Sequence, residues 1–228
     1  MSLLWVAWSG GKDSALVLDR LRRQGIPPGG LLSTVVGTPP RVPFHGFSVR
    51  VLQAQARALG LPLSLVHFAH PPSDAEYADT LRRHLQRLRP SALAFGDIFL
   101  EDVRCFRQEL FAPLGLRLLF PLWHVPSEQL AAEVLARGIR AIITGVDTRV
   151  LPLERLGQWY DEEFLRHLPD EVDPCGERGE FHTCVVAMPG FQLRLSAGRP
   201  FRWSGPWYCC TVRFGHATAH RYLPERHP

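Results

Sequence analysis

Asparagine is absent from the 228 residues, and lysine occurs once, at Lys12, among 26 basic side chains that are otherwise all arginine. Asparagine is thermolabile, so its absence fits a coding bias or a high growth temperature, although lysine depletion is not the usual mark of heat adaptation. No apolar run reaches the roughly 18 to 20 residues that a membrane helix needs. The start, Met1-Ser2-Leu3-Leu4-Trp5, also lacks the basic region that opens a signal peptide. A soluble, cytoplasmic protein with no membrane partner is expected. The five cysteines, Cys105, Cys175, Cys184, Cys209 and Cys210, are odd in number and show no C-x-x-C spacing. That argues against a zinc site or a disulfide scaffold, and reduced thiols are expected. The net charge of +4 and pI of 9.0 suit an anionic partner but are too mild to argue for nucleic acid.

What remains is ordinary globular composition, 46% apolar and 21% charged, with enough chain for one large domain or two small ones. The first half alternates short apolar runs with helical periodicity. Leu3 to Trp8 reads as a strand, followed by a Gly-Gly turn and a helix through Leu16, Val17 and Leu21. Leu31 to Val36 and Leu63 to Phe68 read as strands around a helix with Phe47, Val51, Ala54 and Ala58 on one face. Tyr77, Leu81, Leu85 and Leu88 mark an amphipathic helix whose arginines form a solvated face. Ala92 to Phe95, Leu116 to Phe120 and Ile139 to Thr144 supply further strands, separated by helices through Val103, Phe106 and Leu110 and over Ser127 to Arg137. Strands alternating with helices predict an α/β fold, a mostly parallel sheet with helices on both faces and ligands beyond the carboxyl ends of the strands. After about Asp147 a helix near Trp159 to His167 gives way to short strand-like runs, Cys184 to Met188, Phe191 to Leu195 and Tyr208 to Phe214. Residues 1–148 are expected to form the first domain and 149–228 a smaller β-rich one, with Ala217 to Pro228 a polar, poorly ordered tail.

The sharpest motif is Ser9-Gly10-Gly11-Lys12-Asp13-Ser14, set between the first strand and the first helix. Its glycines let the backbone approach a ligand, the helix N-terminus offers free N–H groups and partial positive charge, and Lys12 adds a full one. The ligand expected there carries phosphate. The spacing is not that of the Walker loop, because Asp13 follows Lys12, and no G-x-G-x-x-G loop is present. An arginine would not substitute for Lys12, being a planar fork where a compact charge is wanted.

Ser9 to Ser14 resembles the SGGKDS loop of the ATP pyrophosphatases, which cleave ATP between its α and β phosphates to adenylate a substrate. Asp173-Pro174-Cys175-Gly176-Glu177-Arg178-Gly179-Glu180-Phe181-His182-Thr183 is similar to the DPCGENGEFHT segment of the diphthine–ammonia ligase family. Gly96-Asp97-Ile98 and Gly145-Val146-Asp147 fall where that family has comparable segments, so the resemblance spans most of residues 3 to 186. It implies a Rossmann-like nucleotide domain of the HUP type, carrying the PP-loop, followed by a substrate domain. It also implies a ligase that uses ATP and ammonium to convert a carboxylate, that of diphthine on elongation factor 2 in some members, into an amide. By that resemblance Ser9, Gly10, Gly11, Lys12, Asp13, Ser14, Gly96 and Asp97 bind ATP. Asp13 and Asp97 are the candidates to hold Mg²⁺ against the phosphates. Lys12, Glu177, Glu180 and His182 carry the catalysis, the last three through substrate or ammonium binding and proton transfer. Arg178 stands where the family usually has asparagine, and puts a large cation into a substrate-facing segment, so the acceptor is open: a protein like elongation factor 2 or a small molecule.

Cys175 reads as a structural thiol, the adjacent Cys209 and Cys210 as core, and Trp203 to Tyr208 as core or domain interface. Two alternatives share the loop: a tRNA-modifying ATP pyrophosphatase and a nucleotide sensor that binds ATP without chemistry. Apolar strands outside the first domain leave room for a homodimer.

Overall fold

The structure, a computed structural model, describes residues 3–215. The tail expected over Ala217 to Pro228 lies outside the described residues. In chain order the elements are β1 (Leu4–Ala7), α1 (Lys12–Arg23), β2 (Gly30–Val36), α2 (Val49–Leu59), β3 (Leu63–Phe68), α3 (Asp74–Leu88), β4 (Ala92–Ala94), α4 (Glu101–Phe111) and β5 (Arg117–Leu119). There follow α5 (Ser127–Ala136), β6 (Arg140–Asp147), α6 (Glu162–Arg166), β7 (Phe181–Met188), β8 (Phe191–Gln192), β9 (Leu195–Ser204) and β10 (Trp207–Phe214).

β1 to β5 form a parallel sheet in the order β3-β2-β1-β4-β5. Alternation along each strand divides its side chains between two faces. Leu31 and Val35 pack with Leu16, Leu18, Val51 and Leu52 of α1 and α2. Leu32, Val66, Phe68 and Leu93 pack instead with Leu81 and Leu85 of α3 and Leu110 and Phe111 of α4. Local chemistry sets the helix ends. Ser73 caps α3 by accepting from the Glu76 N–H at 3.3 Å, and Gly60 closes α2 in the left-handed region at φ 67°. This is the α/β architecture with helices on both faces that the sequence predicts. Its strand order reverses between β1 and β4, which opens a crevice beyond their carboxyl ends.

The other five strands form an antiparallel sheet, ordered β8-β7-β6-β10-β9. The strand expected over Ile139 to Thr144 therefore belongs to this second sheet, as β6, and not to the parallel one. Its sequence misleads because β6 is buried on both faces from Ala141 to Asp147, and a doubly buried strand reads as the same continuous apolar run in either kind of sheet. No strand is expected from the sequence over most of β9: Gly198 and Pro200 interrupt it, and both are tolerated because it is the edge strand.

The two sheets meet at the first loop. The Val185 N–H donates to the Gly10 carbonyl at 2.8 Å, and the Lys12 N–H donates to Thr183 Oγ1 at 3.0 Å. Gln55, fully buried in α2, accepts from Trp8 Nε1 at 3.0 Å and donates to the carbonyls of Gly10 and Val185. Among the described residues no helix is long and apolar enough to cross a membrane.

Candidate functional site

The loop after β1 is shaped by what its glycines leave empty. Gly10 has φ +78°, and a Cβ there would lie 2.6 Å from Gln55 Oε1. A Cβ on Gly11, the N-cap of α1, would lie 2.8 Å from Cε1 of His45. Ser9 Oγ accepts from the Gly11 N–H at 3.2 Å, and Ser14 Oγ donates to the Gly11 carbonyl at 2.9 Å. Gly96, beyond β4, backs onto the start of α1, where a Cβ would stand 3.2 Å from the Asp13 carbonyl carbon. The glycines let the loop pack tightly against Gln55, His45 and β4, and the helix N-terminus it opens suits a polyphosphate.

Lys12 is 2% exposed and reaches across to the second half of the chain. Its Nζ donates to both Asp13 oxygens at 2.9 Å and to the Cys175 carbonyl, and stands 5.3 Å and 5.4 Å from the ring centres of Tyr160 and Phe181. Burial works against its charge, but the Asp13 carboxylate, with help from Cys175 and Glu177, holds the ammonium above its ordinary pKa.

The 173–178 turn that Lys12 touches is wound around two carboxylates. Asp173 Oδ1 accepts from the N–H groups of Cys175 at 2.9 Å and Glu177 at 3.2 Å, while Glu180 Oε1 accepts from the Asp173 N–H at 3.0 Å. Gly176 has φ +67° and no room for a Cβ, which would meet the Phe181 carbonyl at 2.7 Å. The turn presents Glu177, whose Oε1 accepts from the Ile98 N–H at 2.8 Å. Burial pushes the Glu177 carboxyl up to about 7; the Ile98 N–H opposes the shift and the nearby Asp13 and Asp97 add to it.

Ser9, Lys12, Asp13, Ser14, Gly96, Asp97, Glu177 and His182 all line one cavity of about 360 Å³ at the crevice. Gly10 and Gly11 are not among its lining residues: the missing Cβ of the first faces Gln55, Phe47 and Leu52, and that of the second faces His45. Glu180 is not brought there: it is 7% exposed, accepts from the Asp173 N–H and pairs with Arg178 at 3.6 Å, and its Oε2 has no hydrogen-bond partner among the described residues. Asp147 caps its own turn and pairs with Arg149 at 2.5 Å. The Cys175 thiol donates to the Ser127 carbonyl and is pushed by burial up to about 12, which suits an inert structural thiol.

Neither candidate metal ligand is free. Asp13 is held by Lys12 and Asp97 by Arg107, whose guanidinium lies 4.4 Å from the Phe95 ring centre. Among the described residues no group of three or more His, Cys, Asp or Glu is placed to hold an ion. The site therefore fits Mg²⁺ only in company with phosphate oxygens and water, the arrangement that ion favours in nucleotide sites.

Several cavity residues escape the sequence reading: Tyr77, Arg107, Thr183, Phe44 and His45. The signal available for the last two was a long loop, residues 37–48, leaving β2 at the crevice of an α/β sheet. His45 Nδ1 lies 2.7 Å from the Thr183 carbonyl, and its ring centre is 4.9 Å from that of His182. Burial lowers both imidazoles, His45 to about 4 and His182 well below its usual range, and Lys12 reinforces this, so both are neutral at physiological pH.

Residues 3–118 match the family model of the diphthamide synthase N-terminal domain, and residues 126–214 that of the diphthamide synthase C-terminal domain. The chain belongs to the diphthamide synthase family. The diphthine–ammonia ligase of Schizosaccharomyces pombe is 33% identical over 108 residues, 46% of this chain. The match spans only 18% of that ligase's length. Among solved structures, a predicted subunit of tRNA methyltransferase from Methanocaldococcus jannaschii aligns over 60% of this chain and 76% of its own. That alignment has 21% identity and a TM-score of 0.41, too low for any functional inference. In this diphthamide synthase family member the boundary between the two family matches, residues 118 to 126, runs from within β5 to just before α5, so β6 falls in the C-terminal match, as it falls in the second sheet.

Proposed function

We propose that this chain is an ATP-dependent ligase that activates a carboxylate as its acyl adenylate and converts it to an amide with ammonia. The observation that carries this reading is the link between the two motifs. The loop, through Ser9, Lys12, Asp13 and Ser14, and the carboxylate-bearing 173–178 turn share one cavity and are tied together by the chain's single lysine. A carboxylate is a poor acyl donor, and transfer to the α-phosphorus of ATP makes AMP the leaving group and expels pyrophosphate. Ammonia then forms the C–N bond as the C–O bond to AMP breaks. The protein's part is positioning and charge stabilisation.

In this reading Ser9, Gly10, Gly11, Lys12, Asp13 and Ser14 hold the phosphates, and Gly96 keeps the loop close to β4. Asp13 and Asp97 assist Mg²⁺, which neutralises phosphate charge. Glu177, with an affinity for protons matched to neutral pH, takes the proton that the attacking nitrogen sheds, and His182 contacts the amine. Glu180 shapes the turn from which Glu177 projects. The parallel-sheet part serves ATP, and the β-rich part, with the 173–178 turn, serves the acceptor.

The test is incubation with α-labelled ATP, Mg²⁺, ammonium and diphthine-bearing elongation factor 2, with fractionated small carboxylates as the parallel arm, separating AMP from ADP. AMP and pyrophosphate that depend on acceptor and are lost in Lys12→Ala are expected. ATP binding without AMP under any acceptor would leave a sensor, and AMP dependent on tRNA would turn the reading to RNA modification.

A further inference from the structure

His45 is held more rigidly than a loop residue needs to be. Its loop sits on the second sheet with no slack: a Cβ on Gly46 would lie 2.3 Å from Cys209 Cβ, and one on Gly145 would lie 2.2 Å from the Phe44 carbonyl oxygen. Phe44 itself is in the left-handed region at φ 59°, a conformation that a bulky side chain adopts only when its surroundings impose it. The carbonyl of Thr183 can only accept, so Nδ1 of His45 carries the hydrogen, and in the neutral ring Nε2 keeps a lone pair. Beside it, His182 has no side-chain hydrogen-bond partner among the described residues, although the ring is largely buried.

The surroundings decide what such a pair can hold. The edge of Phe47 and the ring of Phe44 flank it, with centres 5.7 Å from His45 and 5.8 Å from His182, and a Cβ on Gly11 of the phosphate loop would lie 2.8 Å from His45 Cε1. Among the described residues the charged group that acts on both rings is Lys12, a cation, and no carboxylate partners either ring. An ammonium or potassium ion would find acceptors there but no counter-charge. A neutral molecule that donates hydrogen bonds and keeps its own lone pair would fit.

We propose that the His45–His182 pair is the ammonia site of this enzyme, with Nε2 of His45 accepting a hydrogen bond from NH₃ beside the phosphate loop. The assignment rests on the ligase reading above and names the form in which the amine is bound. Ammonia held this way directs its lone pair to the acyl carbon. The C–N bond forms and the bond to AMP breaks. The proton released passes from nitrogen to the Glu177 carboxylate, which lines the same cavity, and then to water.

The first test needs no acceptor. In full-length protein with ¹⁵N-labelled histidines, His45 is expected in the Nδ1–H tautomer. Ammonium chloride should shift its Nε2 resonance more at about pH 8.5 than at about pH 6.5, following free NH₃. Potassium chloride at equal ionic strength should not shift it. Equal responses to the two salts, no response to ammonium, or the opposite tautomer would overturn the proposal. The second test uses whichever acceptor supports AMP formation. His45→Ala should raise the KM for ammonium by about tenfold or more while leaving the pyrophosphate burst intact, and His45→Gln, which retains an acceptor, should recover part of the loss. Equal slowing of burst and amide formation would mark a structural role. If wild-type protein makes no AMP with any acceptor, the ligase reading fails, and the resonance shifts still decide whether the pair binds ammonia.

Discussion

At Glu177 a single carboxyl group links folding to chemistry, because the burial that tunes it also makes its ionisation costly to the fold. Its proton affinity in the native state, near 7, exceeds that of an ordinary glutamate, so the folded protein binds the extra proton between about pH 4.5 and about pH 7. Stability contributed by the protonated form is present at acid pH and is lost as pH rises through the folded value. Glu177→Gln, which keeps an acceptor for the Ile98 N–H, should therefore raise unfolding free energy by about 1 kcal/mol at pH 8 and leave it nearly unchanged at pH 5. The same variant should abolish amide formation if Glu177 takes the proton. Urea unfolding at the two pH values checks the first expectation, and a gain equal at both would refute it. Gln55 makes the opposite case, a buried polar side chain with every group satisfied. Gln55→Leu strands the Trp8 N–H and takes one donor from each of the Gly10 and Val185 carbonyls, the first of which keeps the Val185 N–H, and should cost about 2 kcal/mol and weaken ATP binding through the displaced loop.

Among the elements, the segment from β2 to α2 depends most on distant parts of the chain. Gly145, near the end of β6, has the Phe44 carbonyl oxygen 2.2 Å and the His182 Cβ 3.3 Å from where its Cβ would stand, and neither is the flexible end of a side chain that could yield. Gly145→Ala should destabilise the protein by about 1 to 3 kcal/mol and shift the His45 and His182 ring resonances. Gly25→Ala, at a site with φ +73° but open space, should cost only the backbone strain of about 1 kcal/mol and move neither ring. The contrast explains what could be read from sequence. The motif at Ser9 to Ser14 is legible because its chemistry is local: glycines, lysine and helix start stand in one run. The strands of the parallel sheet are legible because each alternates with a helix of clear period. His45 is not, because its meaning comes from Thr183, 138 positions away. Nor is Glu180 distinguishable from Glu177 by type or spacing. Only the fold turns one into the cavity and the other back onto the Asp173 N–H.

At the scale of the whole molecule, the two sheets are coupled through Lys12, and its two duties predict different responses to substitution. Its ammonium is buried, while the Asp13 side chain remains 31% exposed. Removing the cation therefore leaves a carboxylate that water can partly reach, and Lys12→Met should cost about 2 kcal/mol, less than the 3 to 5 typical when a fully buried pair is broken. Neutralising both partners in Lys12→Met/Asp13→Asn removes the stranded charge, so stability should recover by about 1 kcal/mol or more. Affinity for ATP should not recover. A phosphate chain needs a positive charge at the helix start, and the double variant still lacks it. Chemical denaturation and ATP titration calorimetry on the four proteins of this cycle separate the two duties. Recovered folding with ATP affinity still reduced about tenfold or more would assign Lys12 to the nucleotide as well as to the fold. Recovery of both would make the lysine a tie between the two halves and nothing more, and the phosphates would then depend on the backbone of Gly10 and Gly11 and on the hydroxyls of Ser9 and Ser14.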